Sequence, residues 1–163
     1  MRRRMILLGG GAAALAGCGF ELRKAPDFAF RSIAIPANTP MANELRRTIS
    51  SAGDVQVTGR QLPVDQAQVV LDLLAELREK VVVGLNASGQ VREFQLRSVV
   101  RFRLRTPQGR ELIPETELVQ QRDISFNESA VLAKEAEETL LYRDMQTDLV
   151  QQLMRRLAAV KTV

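Results

Sequence analysis

From Glu93 to Arg105 apolar and polar residues alternate: Phe94, Leu96, Val100, Phe102 and Leu104 interleave with Glu93, Gln95, Arg97, Arg101, Arg103 and Arg105. Successive side chains of an extended backbone point to opposite faces, so this pattern specifies a half-buried strand. Asn86-Ala87-Ser88-Gly89 before it and Thr106-Pro107-Gln108-Gly109 after it are turns of the kind that join antiparallel strands. The strand from Glu111 then places Leu112, Leu118, Ile124 and Phe126 on one face and Glu111, Glu115, Glu117 and Asp123 on the other. If Arg105 faces Glu111, the same register sets Arg101 against Glu115. The arginine stripe therefore reads as a solvated cross-strand ladder rather than a phosphate-binding surface. Pro114 marks an edge or a bulge in its strand.

Gln66 to Leu85 fits both templates, but Val69, Leu71, Leu73, Ala75, Leu77, Val81 and Val83 match a strand better than Val70, Leu74, Leu77 and Val81 match a helix. Upstream, Ser32 to Pro36 and Val55 to Val57 are short strand candidates, and Thr58 to Asp65 is a polar connection around Pro63. Between those strands Thr39 caps a helix that starts at Pro40, buries Met41, Leu45, Ile49 and Ala52, and stops at Gly53. A last helix runs from about Ser129 to Val160, with Leu141, Met145, Leu149, Leu153 and Leu157 every four residues and Leu140, Val150 and Met154 widening the stripe. The order predicts an α+β fold with two helices packed on one face of a roughly four-stranded mixed or antiparallel sheet.

The N-terminal end has a different character. Arg2, Arg3 and Arg4 precede an apolar stretch and then small residues up to Gly17, the layout of a secretory signal and too short to span a bilayer. Leu15-Ala16-Gly17-Cys18 resembles the lipobox of bacterial lipoproteins, in which the chain is cut before the cysteine and that cysteine is acylated. The expected organisation is a cleaved signal over residues 1–17, a lipidated tether over 18–31 and a single domain over 32–163. The Arg2-Arg3 pair leaves Sec and twin-arginine export both open. Losing Arg2, Arg3 and Arg4 from 23 Lys and Arg leaves 20 against 19 Asp and Glu, so no nucleic-acid partner is argued from charge. Anchoring through several acyl chains on Cys18 is stable.

Histidine is absent and Cys18 is the only cysteine. The common general base, the common metal ligands and the Ser-His and Cys-His pairs are therefore missing, and no catalytic or metal residues are assigned. A Ser-Lys arrangement stays open. No cofactor is expected beyond the covalent lipid on Cys18, and a binding or assembly role is preferred to catalysis.

Several segments together resemble LptE, the lipopolysaccharide-assembly lipoproteins of Gram-negative outer membranes. They are Cys18-Gly19-Phe20-Glu21-Leu22-Arg23, Gly89-Gln90-Val91-Arg92-Glu93-Phe94, Leu132-Ala133-Lys134-Glu135, Tyr142-Arg143-Asp144-Met145 and Leu153-Met154-Arg155-Arg156-Leu157. The resemblance implies a plug inside the β-barrel LptD that helps assemble it and forms a heterodimer with it, with lipopolysaccharide as ligand. Carried over residue by residue, Lys134 occupies a matching basic position for lipopolysaccharide. The other basic position, before the Asn of the hairpin turn, falls on Leu85, and Arg92 beyond that turn is the substitute. Lys134 is equally readable as a surface lysine pairing with a nearby Glu. Gly19 after the lipidated cysteine favours, by analogy with lipoprotein sorting, a periplasm-facing position at the outer membrane. The alternative is a structural envelope lipoprotein that binds a protein partner and no glycolipid.

Overall fold

The computed structural model describes residues 26–58 and 63–163. The signal segment, Cys18 and the Cys18–Arg23 motif lie outside the described residues, as do residues 59–62 of the connection around Pro63. The elements are β1 (Ser32–Ala34), α1 (Pro40–Ala52), β2 (Gln56–Thr58), β3 (Val69–Leu85), β4 (Val91–Arg105), β5 (Glu111–Ser125) and α2 (Val131–Ala158). They form one five-stranded sheet in the order β2-β1-β3-β4-β5. The first three strands in that order run parallel to one another, and β3, β4 and β5 form an antiparallel meander, so the sheet is mixed.

Helix α1 forms as its sequence dictates. The Thr39 hydroxyl accepts from the Ala42 amide, Pro40 supplies a helical φ where no donor is needed, and Met41, Leu45 and Ile49 are buried. Arg46 reaches back to the Ile35 and Ala37 carbonyls and ties the β1–α1 connection to the helix. The core joins α1, α2 and one face of the sheet through Leu45, Ile49, Leu71, Phe102, Leu104, Leu149 and Leu153. Phe28 and Phe30, inside the segment read as a tether, are buried in this core with ring centroids 5.3 Å apart.

Both hairpin turns have the same construction. Asn86 and Gln90 close one, Thr106 and Arg110 the other, and the third loop residue is a glycine at φ 77° (Gly89) or 95° (Gly109). This is a type I turn followed by a left-handed residue, which glycine adopts without a Cβ penalty.

Two irregularities correct the sequence reading. The β3–β4 register shifts between Leu73 and Ala75, so Leu71 and Leu73 lie over the core while Glu76 pairs with Val100 and Lys80 with Leu96. A single extra residue reverses which face each later side chain occupies. Leu77 and Val81, expected on the same face as Leu71, instead sit half-exposed on the helix-free face, where Leu77, Val99 and Val119 are in register across three strands, and Val83, also half-exposed, falls at a second register shift between Val82 and Gly84. In β5, Arg105 does face Glu111, but the register shifts around Pro114, so Arg101 pairs with Glu117 in the ladder while its guanidinium still reaches Glu115 at 3.3 Å. The arginine ladder exists with a different set of partners: Arg97 meets Glu79 at 3.2 Å, and Arg103 and Arg105 both bind Asp72 of β3, at 2.9 and 2.8 Å. In α2 the buried stripe takes Tyr142 in place of Leu140, which is exposed.

Candidate functional site

The bulge in β3 creates the site. Past it, Arg78 and Lys80 project from the helix-side face toward the first half of α2, over a small apolar cluster of Leu96, Ile124, Tyr142 and Met145. Lys80 lies 4.4 Å from the centroid of Phe94 and 2.5 Å from a Glu138 carboxylate oxygen. Arg78 stacks 5.3 Å from the Tyr142 ring centroid and donates to Gln146 Oε1 at 3.1 Å. Burial, with the Glu138 charge beside it, pushes the Tyr142 hydroxyl up, so it stays protonated and donates to the Glu79 carbonyl at 2.7 Å.

Lys134 stands one turn into α2, which is preceded by the Glu128–Ala130 turn capped by Asn127. Its ammonium donates to Ser125 Oγ at 3.0 Å and pairs with Glu137 at 2.8 Å. The helix-surface ion pair read from the sequence is therefore present. With Lys80, Phe94, Ser125 and Phe126 it lines a cavity of about 60 Å³, roughly twice the share of one water molecule, so an anionic ligand would rest on the rim rather than inside. Phe94 and Phe126 meet edge to face, 5.4 Å apart. The cations are matched by Glu137 and Glu138, so an anion must displace a carboxylate to reach either ammonium. Glu137 is half-exposed and yields more readily than a buried partner.

Alternation along β4 puts Arg92 on the same face as Phe94, and its carbonyl accepts from the Phe126 amide at 2.7 Å. Leu85, in the position where a basic residue was expected, is 61% exposed at the hairpin end. The sequence reading missed Lys80, Phe94 and Phe126 as members of this group. An amphipathic count that allowed one inserted residue near Leu74 would have found Lys80. Among the described residues no group of histidine, cysteine and carboxylates could hold a metal, and no helix is long and apolar enough to cross a membrane.

A family model described as "LptE: Lipopolysaccharide-assembly" matches residues 30–157, which take in all five strands, α1 and all but the last residue of α2. The chain belongs to the LptE family. This LptE-family chain is also similar to the solution NMR structure of lipoprotein B from Nitrosomonas europaea, with 34% identity, 86% of this chain and 91% of that one covered, and a TM-score of 0.74. The same fold recurs in a minor lipoprotein from Acinetobacter baumannii (22% identity, 82% and 94% covered, TM-score 0.64) and in rare lipoprotein B from Shewanella oneidensis (20%, 78% and 94%, 0.63). None of the curated proteins matches. LptE proteins are non-enzymatic lipoproteins of lipopolysaccharide assembly, associated with the machinery that transports it. The Ser125–Lys134 contact is accordingly no catalytic pair: the lysine donates to the serine and is ion-paired with Glu137.

Proposed function

We propose that this LptE-family chain is an outer-membrane lipoprotein, anchored through acyl chains on Cys18, that seats as a plug in an LptD-type β-barrel and contacts lipopolysaccharide through Lys134, Lys80 and Arg92 during its delivery to the cell surface. The observation that carries the reading is the family match over residues 30–157. Two features of the fold support it. The helix-free face carries a ladder of charged side chains, which suits a polar barrel lumen better than lipid. The Lys80–Phe94–Phe126–Lys134 group offers ammonium donors beside two half-buried aromatic rings and the exposed Val131 and Leu132, a combination suited to a phosphorylated glycolipid. Membrane attachment then falls to the lipid on Cys18.

The test is lipopolysaccharide binding by the mature chain and by Lys134→Glu, Lys80→Glu and Arg92→Glu, with folding followed by circular dichroism. Lys134→Glu should weaken binding about five- to tenfold, the scale of one charge-assisted contact, and Arg92→Glu less. Binding unchanged in all three folded variants would instead favour a structural envelope lipoprotein without a glycolipid ligand.

A further inference from the structure

The two long sides of the sheet are defended differently. The outer strand β5 carries Pro114, a register shift beside it and the exposed charges of Glu115, Glu117 and Arg122, devices that keep a strand edge from pairing with another chain. On the other side, β1 covers β3 only at Val69 and Val70. Thr39, at the start of α1, reaches Glu76, and beyond that point no described strand pairs with the outer side of β3. From Leu77 to Val83 every residue is exposed.

The backbone of this stretch is turned to accept a strand. In an antiparallel ladder the N–H and C=O of one residue point to the same side, and successive residues alternate between the paired strand and the open side. The Tyr142 hydroxyl donates to the Glu79 carbonyl, which places Glu79 on the open side, and alternation puts Leu77 and Val81 there as well. No charge guards this edge. Val81, Val82 and Val83 are each about half exposed. The two cations beside them are turned to α2, Arg78 onto Tyr142 and Gln146, and Lys80 onto Glu138.

We propose that the open side of β3 at Val81-Val82-Val83 pairs antiparallel with the same segment of a second copy of this chain, joining two five-stranded sheets into one of ten strands. An open row of backbone donors and acceptors is satisfied by another extended backbone, and a twofold axis makes the identical edge that partner. The side chains are self-complementary. A twofold centred on Val81, Val82 or Val83 opposes Lys80 to Val82, Gly84 or Asn86, and Glu79 to Val83, Leu85 or Ala87, so no like charges meet. The same operation on β5, centred on Val119, sets Glu115 against Asp123. One strand pair buries little area, so the dimer forms and separates reversibly. The pairing does not depend on the plug reading.

Sedimentation velocity of the full mature chain in mild detergent, over a wide range of concentration, tests this. The protein mass should rise with concentration and level at twice that of the monomer. Val81→Lys with Val83→Lys, both at exposed positions, should keep the circular dichroism spectrum and hold the chain at the monomer mass throughout. Single cysteines give a second reading, with the parent chain and its Cys18 as background. The fastest of Val81→Cys, Val82→Cys and Val83→Cys should oxidise to a cross-linked dimer at least about tenfold faster than Gln120→Cys on β5, because only strand neighbours near the axis meet disulfide geometry. Should the double lysine variant lose its spectrum, the cysteines still decide. A chain that stays monomeric at every concentration would overturn the proposal. So would a dimer that survives the double lysine change, as two anchors sharing one micelle would give, and so would cross-linking that is fastest at Gln120→Cys.

Discussion

Asp72 receives two arginines at once. Burial pushes its carboxyl up, but hydrogen bonds and charge from Arg105 and Arg103 outweigh that and hold it below the ordinary carboxylate range. A depressed carboxylate contributes stability that is fully present above its unfolded value and is lost as pH falls through the folded one. Asp72→Asn should therefore lower stability by about 1 kcal/mol at pH 7, given that Arg103 is well exposed, and the gap to the parent chain should close below about pH 4. Urea titrations at pH 7 and pH 3 measure both values, and an equal gap at the two would contradict the assignment. Lys134 offers the opposite kind of test. Glu137→Gln removes its competing partner, so lipopolysaccharide should bind a few-fold more tightly, while a loss of affinity would mean that the ion pair itself builds the site. The sequence singled out Lys134 as a candidate because its surrounding residues resemble the family's. Lys80 was passed over, because apolar spacing alone assigned β3 one continuous inner face.

At the scale of elements, the parts read correctly were those whose signals are local. Thr39, Pro40 and Gly53 bound α1, and the turns around Gly89 and Gly109 bound β4. Gly109 has open space where a Cβ would go, so its φ of 95° is a constraint of conformation and not of packing. Gly109→Ala should then cost about 1 kcal/mol in a denaturant titration, and Gly109→Asn distinctly less, because asparagine tolerates the left-handed region. Equal losses for the two would point to a contact rather than to backbone preference. What escaped the sequence reading were the register shifts near Leu74 and Pro114. Pro114 announced an irregularity without saying how far the register would move. Leu74 announced nothing, since an inserted leucine in an apolar strand looks like one more strand residue. Leu140 and Tyr142 exchanged roles for a related reason: α2 rests on the small cluster around Leu96 and Ile124 at that level, and the tyrosine hydroxyl finds the Glu79 carbonyl there.

For the whole molecule, the family accounts for the packed domain, and the arrangement of its two ends gives it direction. One end gathers Lys80, Lys134 and two phenylalanines around exposed apolar surface, with Leu85 and Leu132 both prominently exposed there. The other holds an open groove over the buried Met154, which Pro26 also lines. A body with a charged ladder on one sheet face and two helices on the other fits a partner that surrounds it, and an enclosing barrel is such a partner. The most direct test is co-purification of the full, lipidated chain from mildly solubilised outer membranes, with the bound protein identified by mass. A stoichiometric β-barrel of the LptD kind should accompany the chain; recovery of the chain alone in good yield, from membranes that contain that barrel, would contradict the plug reading.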